Sequence, residues 1–148
     1  MTVRVKTVEY ETEIAAIKNI RTRVFQQEQG VAAELEFDGL DAEAIHFLAY
    51  IDDKAVGTAR IREINVQTSK IERLAVLPQA RRQGIGKKLM SAALEKSARQ
   101  NKTTVIVHAQ EYIAPLYQQL GFKTVGEKFS EAGIPHVKMV KRFSLNRS

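Results

Sequence analysis

The hydrophobic positions near the start of the chain change their spacing along the sequence. Val3 and Val5 alternate with charged residues, which predicts a short first strand. The next apolar positions recur every three or four residues and predict a helix that is capped by Thr12 and runs to about Gln27: Ile14, Ile17, Ile20 and Val24. Residues 28–44 contain two glycines and several acids, so we expect irregular chain there with one further short helix.

Strand-like hydrophobic runs dominate the rest of the chain. Residues 47–51 and 54–64 predict an antiparallel hairpin, and 71–77 a third strand that Pro78 ends. A helix from Gly84 to about Gln100, a buried strand over 103–107 and a short helix over 113–120 closed by Gly121 follow. Two last strands are predicted near 123–129 and 137–143, around a turn at 133–135. The predicted order is therefore β-α-(α)-β-β-β-α-β-α-β-β.

Composition narrows the class of protein. No linker interrupts the elements, so we predict one domain over residues 1–148. The chain is 44% hydrophobic and 27% charged, and neither a membrane-length apolar run nor the apolar core of a signal peptide is present. We therefore expect a cytoplasmic protein without a membrane partner.

The residue inventory also limits the chemistry. With no cysteine, the chain has no disulfide, thiolate metal site or cysteine acyl-enzyme, and its three histidines lack paired metal-ligand spacing, so we expect no metal. The net charge of +6 favours anionic partners, nucleotide cofactors and nucleic acid among them. No nucleic-acid recognition motif or interleaving of basic and exposed aromatic residues is present, and we expect no nucleic-acid partner.

One loop has the features of a phosphate site. Residues 78–88 connect a predicted strand to a predicted helix, whose first amides carry partial positive charge. Gly84 and Gly86 let a phosphate approach the backbone, and four basic residues surround them: Arg81, Arg82, Lys87 and Lys88. Leu89 occupies the third glycine position of a dinucleotide fingerprint, and the GxxxxGK[ST] spacing is absent. The loop therefore predicts a diphosphate site of another kind.

The sequence around this loop resembles the GCN5-related N-acetyltransferase (GNAT) superfamily. Leu74-Ala75-Val76-Leu77-Pro78 is followed by Arg81-Arg82-Gln83-Gly84-Ile85-Gly86, which matches the family's [RQ]-x-x-G-x-[GA] loop. The resemblance implies an α/β (α+β) fold with a central, mostly antiparallel mixed sheet and acetyl-coenzyme A as the cofactor. It further implies that the strand edge at Leu74, Ala75 and Val76 binds the pantetheine arm, and that the loop binds the diphosphate: Arg81, Arg82, Gln83, Gly84, Ile85, Gly86 and Lys87.

A second segment supports the resemblance. Residues 114–122 resemble the family's helix that ends in LY-x-x-x-GF, which makes Tyr117 a cofactor contact and the general acid that protonates the departing thiolate. The alternative is an aromatic residue that packs on the core. Gln110 stands where many relatives carry asparagine, and we predict that it also contacts the cofactor.

An amine must lose its proton before it can attack a thioester, and Glu72 is the predicted general base. It precedes Leu74 by two residues, so the two share one face of a strand. The alternative is a structural glutamate that pairs with an arginine such as Arg60 or Arg73.

The acceptor residues are predicted by resemblance as well. Residues 24–29, with Glu36, Asp38, Asp41 and His46, are similar to a small, poorly characterised bacterial branch of the superfamily, as are residues 133–136. By analogy with the superfamily, Glu28 and Gln29 are candidate acceptor contacts. His108 ends the strand that leads to Tyr117 and His136 begins the last strand, so either is a candidate proton relay or acceptor contact. The alternative is a helix end, a solvated acidic loop and structural histidines.

The predicted function is transfer of an acetyl group to a primary amine, carried by a small molecule or a peptide, through direct attack in a ternary complex. A GNAT-like sensor that binds acyl-coenzyme A without catalysis is the alternative, and a nucleic-acid binder is a more distant one. Either a monomer or a homodimer is compatible with the sequence.

Overall fold

The structure, a computed structural model, describes residues 2–143. Its strands are β1 Val3–Val8, β2 Ile45–Ile51, β3 Lys54–Glu63, β4 Thr68–Val76, β5 Thr104–Gln110, β6 Lys123–Glu131 and β7 Ile134–Arg142. Its α-helices are α1 Tyr10–Arg21, α2 Ala33–Glu36, α3 Ile85–Arg99 and α4 Ala114–Gln119. A π-helical segment, Thr22–Glu28, continues α1, and short 3-10 helices cover Pro78–Ala80 and Glu111–Ile113.

The seven strands form one open sheet in the order β1-β2-β3-β4-β5-β7-β6. All neighbours are antiparallel except β4 and β5, which run parallel. This arrangement confirms the predicted mixed, mostly antiparallel sheet flanked by helices.

The two faces of the sheet bury different helices. In β2, Leu48 packs with Ile17 and Ile20 of α1, whereas the adjacent Phe47 and Ala49 pack in the core that contains α3. Successive strand residues point to opposite faces, so α1 and α3 cover opposite sides. The apolar stripe predicted for the first helix is therefore confirmed at Ile17, Ile20 and Val24, whereas Ile14 is only partly buried.

The first helix differs from the prediction at both ends. It begins at Tyr10 after Glu9, whose carbonyl accepts hydrogen bonds from the amides of Thr12 and Glu13, so Thr12 is not the N-cap. From Thr22 the helix widens into π geometry, with the amide of Gln29 bonded to the carbonyl of Val24. Hydrophobic spacing alone does not separate these two helix types, because both keep the same side of the segment buried.

A β-bulge interrupts β4 beside the centre of the sheet. Thr58 pairs with Ala75 and Arg60 with Glu72, so Arg73 and Leu74 together oppose the single residue Ala59. Arg73 has a φ of 56°, a left-handed conformation that is rare for a residue with a side chain. The bulge turns this part of β4 away from regular pairing at the point where the sheet opens.

The final hairpin is longer and tighter than predicted. Ala132 and Gly133 both have positive φ and form a two-residue turn between β6 and β7. Glu131 therefore lies at the end of β6, opposite Ile134, instead of in a loop.

Candidate active site

A cavity opens where β4 and β5 separate. The two strands pair only through Thr68–Lys70 and Thr104–Ile106, and both continue beyond this three-residue seam without pairing. The cavity has a volume of about 390 Å³. Its walls include predicted site residues from five different parts of the chain: Gln29, Glu72, Leu74, His108, Gln110, Tyr117 and His136.

Tyr117 reaches this cavity from α4. Its side chain is 6% exposed and packs edge-on against Phe122, with 5.8 Å between the ring centroids. Burial, followed by the effect of Tyr112, raises the pKa of Tyr117 above its ordinary value near 10. The phenol therefore stays protonated at neutral pH while it lines the cavity, and the packing and proton-donor interpretations are compatible.

Glu72 lies on the cavity wall inside a cluster of cations. Its carboxylate accepts hydrogen bonds from Arg60 at 2.9 Å and Arg62 at 2.6 Å, and its other oxygen lies 3.0 Å from the Lys70 ammonium. Burial alone would raise the pKa of Glu72, but these three cations outweigh it and lower the pKa to about 2. The predicted pairing with Arg60 is present, whereas Arg73 contacts Asp38 and the Leu35 and Glu36 carbonyls.

The acidic segment after the π-helical turn completes this ionic network. Glu36 and Asp41 both accept 2.6 Å hydrogen bonds from Arg21, and Asp38 and Asp41 accept bonds from Arg60. Arg21 and Arg60 are almost fully buried, at 1% and 0% exposure. An unpaired buried guanidinium is strongly unfavourable, so these acids are needed to fold the segment against the sheet.

Glu28 and Gln29 connect the end of the π-helical segment to the predicted phosphate loop and to β5. Both carboxylate oxygens of Glu28 bond to Arg81, at 2.5 and 2.6 Å, while the Nε of Arg81 donates to the Val76 carbonyl. Gln110 donates to the side-chain oxygen of Gln29 at 2.9 Å. Glu28 is thus joined to the first residue of the predicted phosphate loop, and Gln29 lies on the cavity wall.

The beginning of α3 has the shape of an anion site. Gly84 precedes the helix with a φ of 75°, and the first intrahelical bond runs from Lys88 to Gly84. The amides of Ile85, Gly86 and Lys87 therefore have no acceptor within the helix. A Cβ atom at Gly86 would come no closer than 3.9 Å to another protein side chain, so internal packing does not require glycine there.

The cavity is also lined by a cluster around Glu131 that the sequence did not predict. Glu131 lies between two candidate histidines, with its Oε1 3.0 Å from His108 Nδ1 and its Oε2 3.7 Å from His136 Nε2. The hydrogen bond from His108 lowers the pKa of Glu131, more strongly than burial raises it. Phe129 packs against both imidazole rings, at 5.1 and 5.9 Å between centroids. In the sequence, the one feature that could have drawn attention to Glu131 is its position directly before the Ala132-Gly133 turn.

Among residues 2–143, no group of three or more His, Asp or Glu side chains is arranged to hold a metal ion. Within the same range, no helix combines the length and the hydrophobicity needed to span a bilayer.

The model of the acetyltransferase (GNAT) domain family matches residues 8–143. The chain belongs to the GNAT acetyltransferase family. Membership supports an acyl-coenzyme-A-dependent N-acyltransferase activity in general, and it agrees with the sheet that opens between β4 and β5.

Individual GNAT relatives and structures cover nearly the whole chain. YyaT of Bacillus subtilis (strain 168) is 35% identical over 145 residues, which is 96% of this chain and 97% of the relative. The crystal structure of an acyl-CoA N-acyltransferase from Pseudomonas aeruginosa superposes with a TM-score of 0.83 at 29% identity, covering 95% of this chain and 99% of that one. A GNAT family acetyltransferase from Elizabethkingia anophelis with acetyl-CoA bound shares the fold, with a TM-score of 0.76 at 16% identity and coverage of 95% and 98%.

Proposed function

We propose that this GNAT protein transfers an acetyl group from acetyl-coenzyme A to a primary amine within a ternary complex. The observation that carries the proposal is the cavity at the β4–β5 seam, because it joins a strand edge, a buried phenol and an ionisable wall. Gly86 approaches Val76 of β4 and Leu116 of α4, so the helix start lies next to the cofactor strand and the Tyr117 helix. The GNAT family acetyltransferase from Elizabethkingia anophelis, which has the same fold, has acetyl-CoA bound, and this supports the choice of cofactor.

The residues at the start of α3 fit a diphosphate. We propose that the backbone of residues 83–87 donates hydrogen bonds to it, and that Arg82 and Lys87 add positive charge. Arg81 acts through its backbone and holds the loop, since its guanidinium is bonded to Glu28 and to the Val76 carbonyl. Leu74, Ala75, Val76 and Gln110 contact the pantetheine arm, and the bound cofactor supplies the acetyl thioester that an amine attacks.

Two groups handle the charge that develops during transfer. The bulge leaves Leu74 without a partner on β3, so we propose that an amide at Leu74 or Ala75 donates to the developing oxyanion. Tyr117 donates its hydroxyl proton to the sulfur, a role that its raised pKa preserves because the phenol is protonated at every physiological pH.

The direct general-base role of Glu72 stays a prediction. A carboxylate with a pKa of about 2 binds a proton weakly, so the contacts support an electrostatic role in which Glu72 holds Arg60, Arg62 and Lys70 along the wall. We propose that Gln29, His108 and His136 face the acceptor, because all three line the cavity. Glu28 would act on the acceptor side indirectly, through its ion pair with Arg81.

Release of free coenzyme A during incubation with a panel of amines tests the proposal. Because the chain has no cysteine, a thiol-reactive chromophore detects only the product. Acetyl-coenzyme A and coenzyme A should also raise the melting temperature, since a ligand at 100 times its Kd adds about 2.7 kcal/mol, whereas acetate should not. Stabilisation without turnover on any amine would favour the sensor, and no stabilisation at all would remove the cofactor assignment.

A further inference from the structure

His108 and Glu131 form a carboxylate–imidazole pair, and Phe129 packs against the imidazole ring. His108 lies on β5 and lines the cavity with 26% of its side chain exposed, and Glu131 reaches it from the end of β6. The edge-on Phe129 ring limits rotation of the imidazole. A lone surface histidine would have neither restraint.

The hydrogen bond determines which nitrogen of His108 is free. An ionised carboxylate only accepts hydrogen bonds, so His108 Nδ1 must carry the proton that Glu131 accepts at 3.0 Å. In the neutral ring, Nε2 then holds the lone pair, and no residue in the range 2–143 bonds to it. His108 thus presents a proton-accepting nitrogen that is oriented through its opposite side.

His136 differs in this respect. Its Nδ1 donates to the Ile134 carbonyl at 2.7 Å, and its Nε2 lies 3.7 Å from the Glu131 carboxylate. The free nitrogen of His136 therefore points at an anion instead of being available to a substrate. His136 lines the cavity, but it is poorly placed to accept a proton from an amine.

We propose that His108 Nε2 is the general base of this acetyltransferase and that Glu131 is its positioning residue. The inference rests on the proposed function and adds to it a proton acceptor on the cavity wall that is distinct from Glu72. Glu131 fixes the Nδ1-protonated tautomer and stabilises the imidazolium that forms, as the carboxylate does in hydrolase triads.

The proton balance of the step is complete with these groups. The amine nitrogen forms a bond to the thioester carbon, and the extra proton on that nitrogen passes to His108 Nε2. The carbonyl re-forms as the carbon–sulfur bond breaks, and the sulfur takes the Tyr117 proton. Transfer of the His108 proton back to the phenolate, directly or through water, restores both residues, so an amine and a thioester give an amide and a thiol.

His108→Gln tests the base, because glutamine keeps polarity near the ring position but cannot take the proton. With the fastest amine from the panel, kcat at pH 7 should fall about 10²-fold or more, with little change in acetyl-coenzyme A affinity. His108→Ala should recover part of its rate when imidazole is added, because the partly exposed position leaves space for it. A residue that served only the fold would not be rescued in this way.

Glu131→Gln tests the positioning role, with Glu127→Gln as the matched control on an exposed part of the same strand. The charged or titratable groups around His108 are Glu131 on β6, Lys138 and His136 on β7 and Lys70 on β4. A glutamine can donate as well as accept a hydrogen bond, so it no longer selects the Nδ1-protonated tautomer of His108, and kcat should fall with little change in KM. The control should leave kcat unchanged.

An NMR measurement on the protein without cofactor gives a readout independent of turnover. The chain has three histidines, so His108→Gln identifies the His108 signals by their disappearance from the long-range ¹H–¹⁵N spectrum. We expect the neutral ring to be protonated at Nδ1 and unprotonated at Nε2.

The outcomes separate this inference from the proposed function. Protonation at Nε2 in the neutral ring, or full turnover by His108→Gln, would overturn the inference while leaving the acetyltransferase intact. A wild-type protein that transfers acetyl to no amine would overturn both.

Discussion

Replacing Glu72 with glutamine removes the anion shared by three cations while it preserves the size and shape of the side chain. Glutamine resembles the protonated acid, so the variant reports the free energy gained from ionisation of Glu72. The pKa of Glu72 is about 2 in the folded protein and 4.5 for the free side chain. At about 1.4 kcal/mol per pKa unit, Glu72→Gln should lower the free energy of unfolding by roughly 3 kcal/mol at pH 7.

The stabilisation from ionised Glu72 should depend on pH. Because folding lowers the pKa, the stabilisation is present above pH 4.5 and is lost as the pH falls toward 2. At pH 3 the difference between wild type and variant should shrink to roughly 1 kcal/mol, as expected from the same two pKa values.

Urea denaturation at pH 7 and pH 3 measures both differences. Glu95→Gln is the control, since Glu95 pairs with Arg99 on the exposed side of α3, and its effect should stay within about 0.5 kcal/mol. A Glu72→Gln effect below about 1 kcal/mol at pH 7, or an equal effect at both pH values, would refute the argument from the buried cation cluster.

Three further substitutions test the remaining parts of the site and the core. Tyr117→Phe should keep the ring packing and lower kcat by about 10²- to 10⁴-fold, with a defect that shrinks as pH rises; equal pH–rate profiles would leave the proton donor unassigned. Gly86→Glu should abolish stabilisation by coenzyme A in a thermal shift assay, whereas Gly86→Ala, which adds a Cβ but no charge, should weaken it less; equal responses would remove this helix start from the cofactor site. Gly57→Ala should lower the free energy of unfolding by about 1–3 kcal/mol, because its Cβ would lie 3.0 Å from Leu89 and 3.2 Å from Ile85; an unchanged urea midpoint would mean that these side chains shift freely.

The element order could be predicted from the sequence because apolar periodicity survives in the structure. The stripe on α1 and the apolar run of β2 both become core positions, the run because helices cover both faces of the sheet there. The predicted ends of helices and strands were less accurate where the backbone geometry changes without a change in the hydrophobic pattern. The π-helical turn at Thr22 and the bulge at Arg73 depend on hydrogen-bond register, which the residue types there do not indicate.

The site residues also differed in how well the sequence predicted them. The loop around Gly84 and the helix containing Tyr117 are local sequence motifs, so their positions could be predicted without long-range contacts. Glu131 lies 23 residues from His108 and meets it only because β7 places β6 within reach of β5. Likewise, Arg60 gives no sign in sequence that Asp38 and Asp41 will neutralise it.

The short seam between β4 and β5 also has a mechanical consequence. Three residue pairs join the halves of the sheet there, whereas β5 and β7 are joined by seven. The seam is therefore the most compliant joint of the sheet, and a small change of angle across it alters the width of the cavity above. Ile106, in the last pair of the seam, thus occupies a position from which substitutions would change the width of the cavity, whereas its partner Lys70 itself lines the cavity and pairs with Glu72.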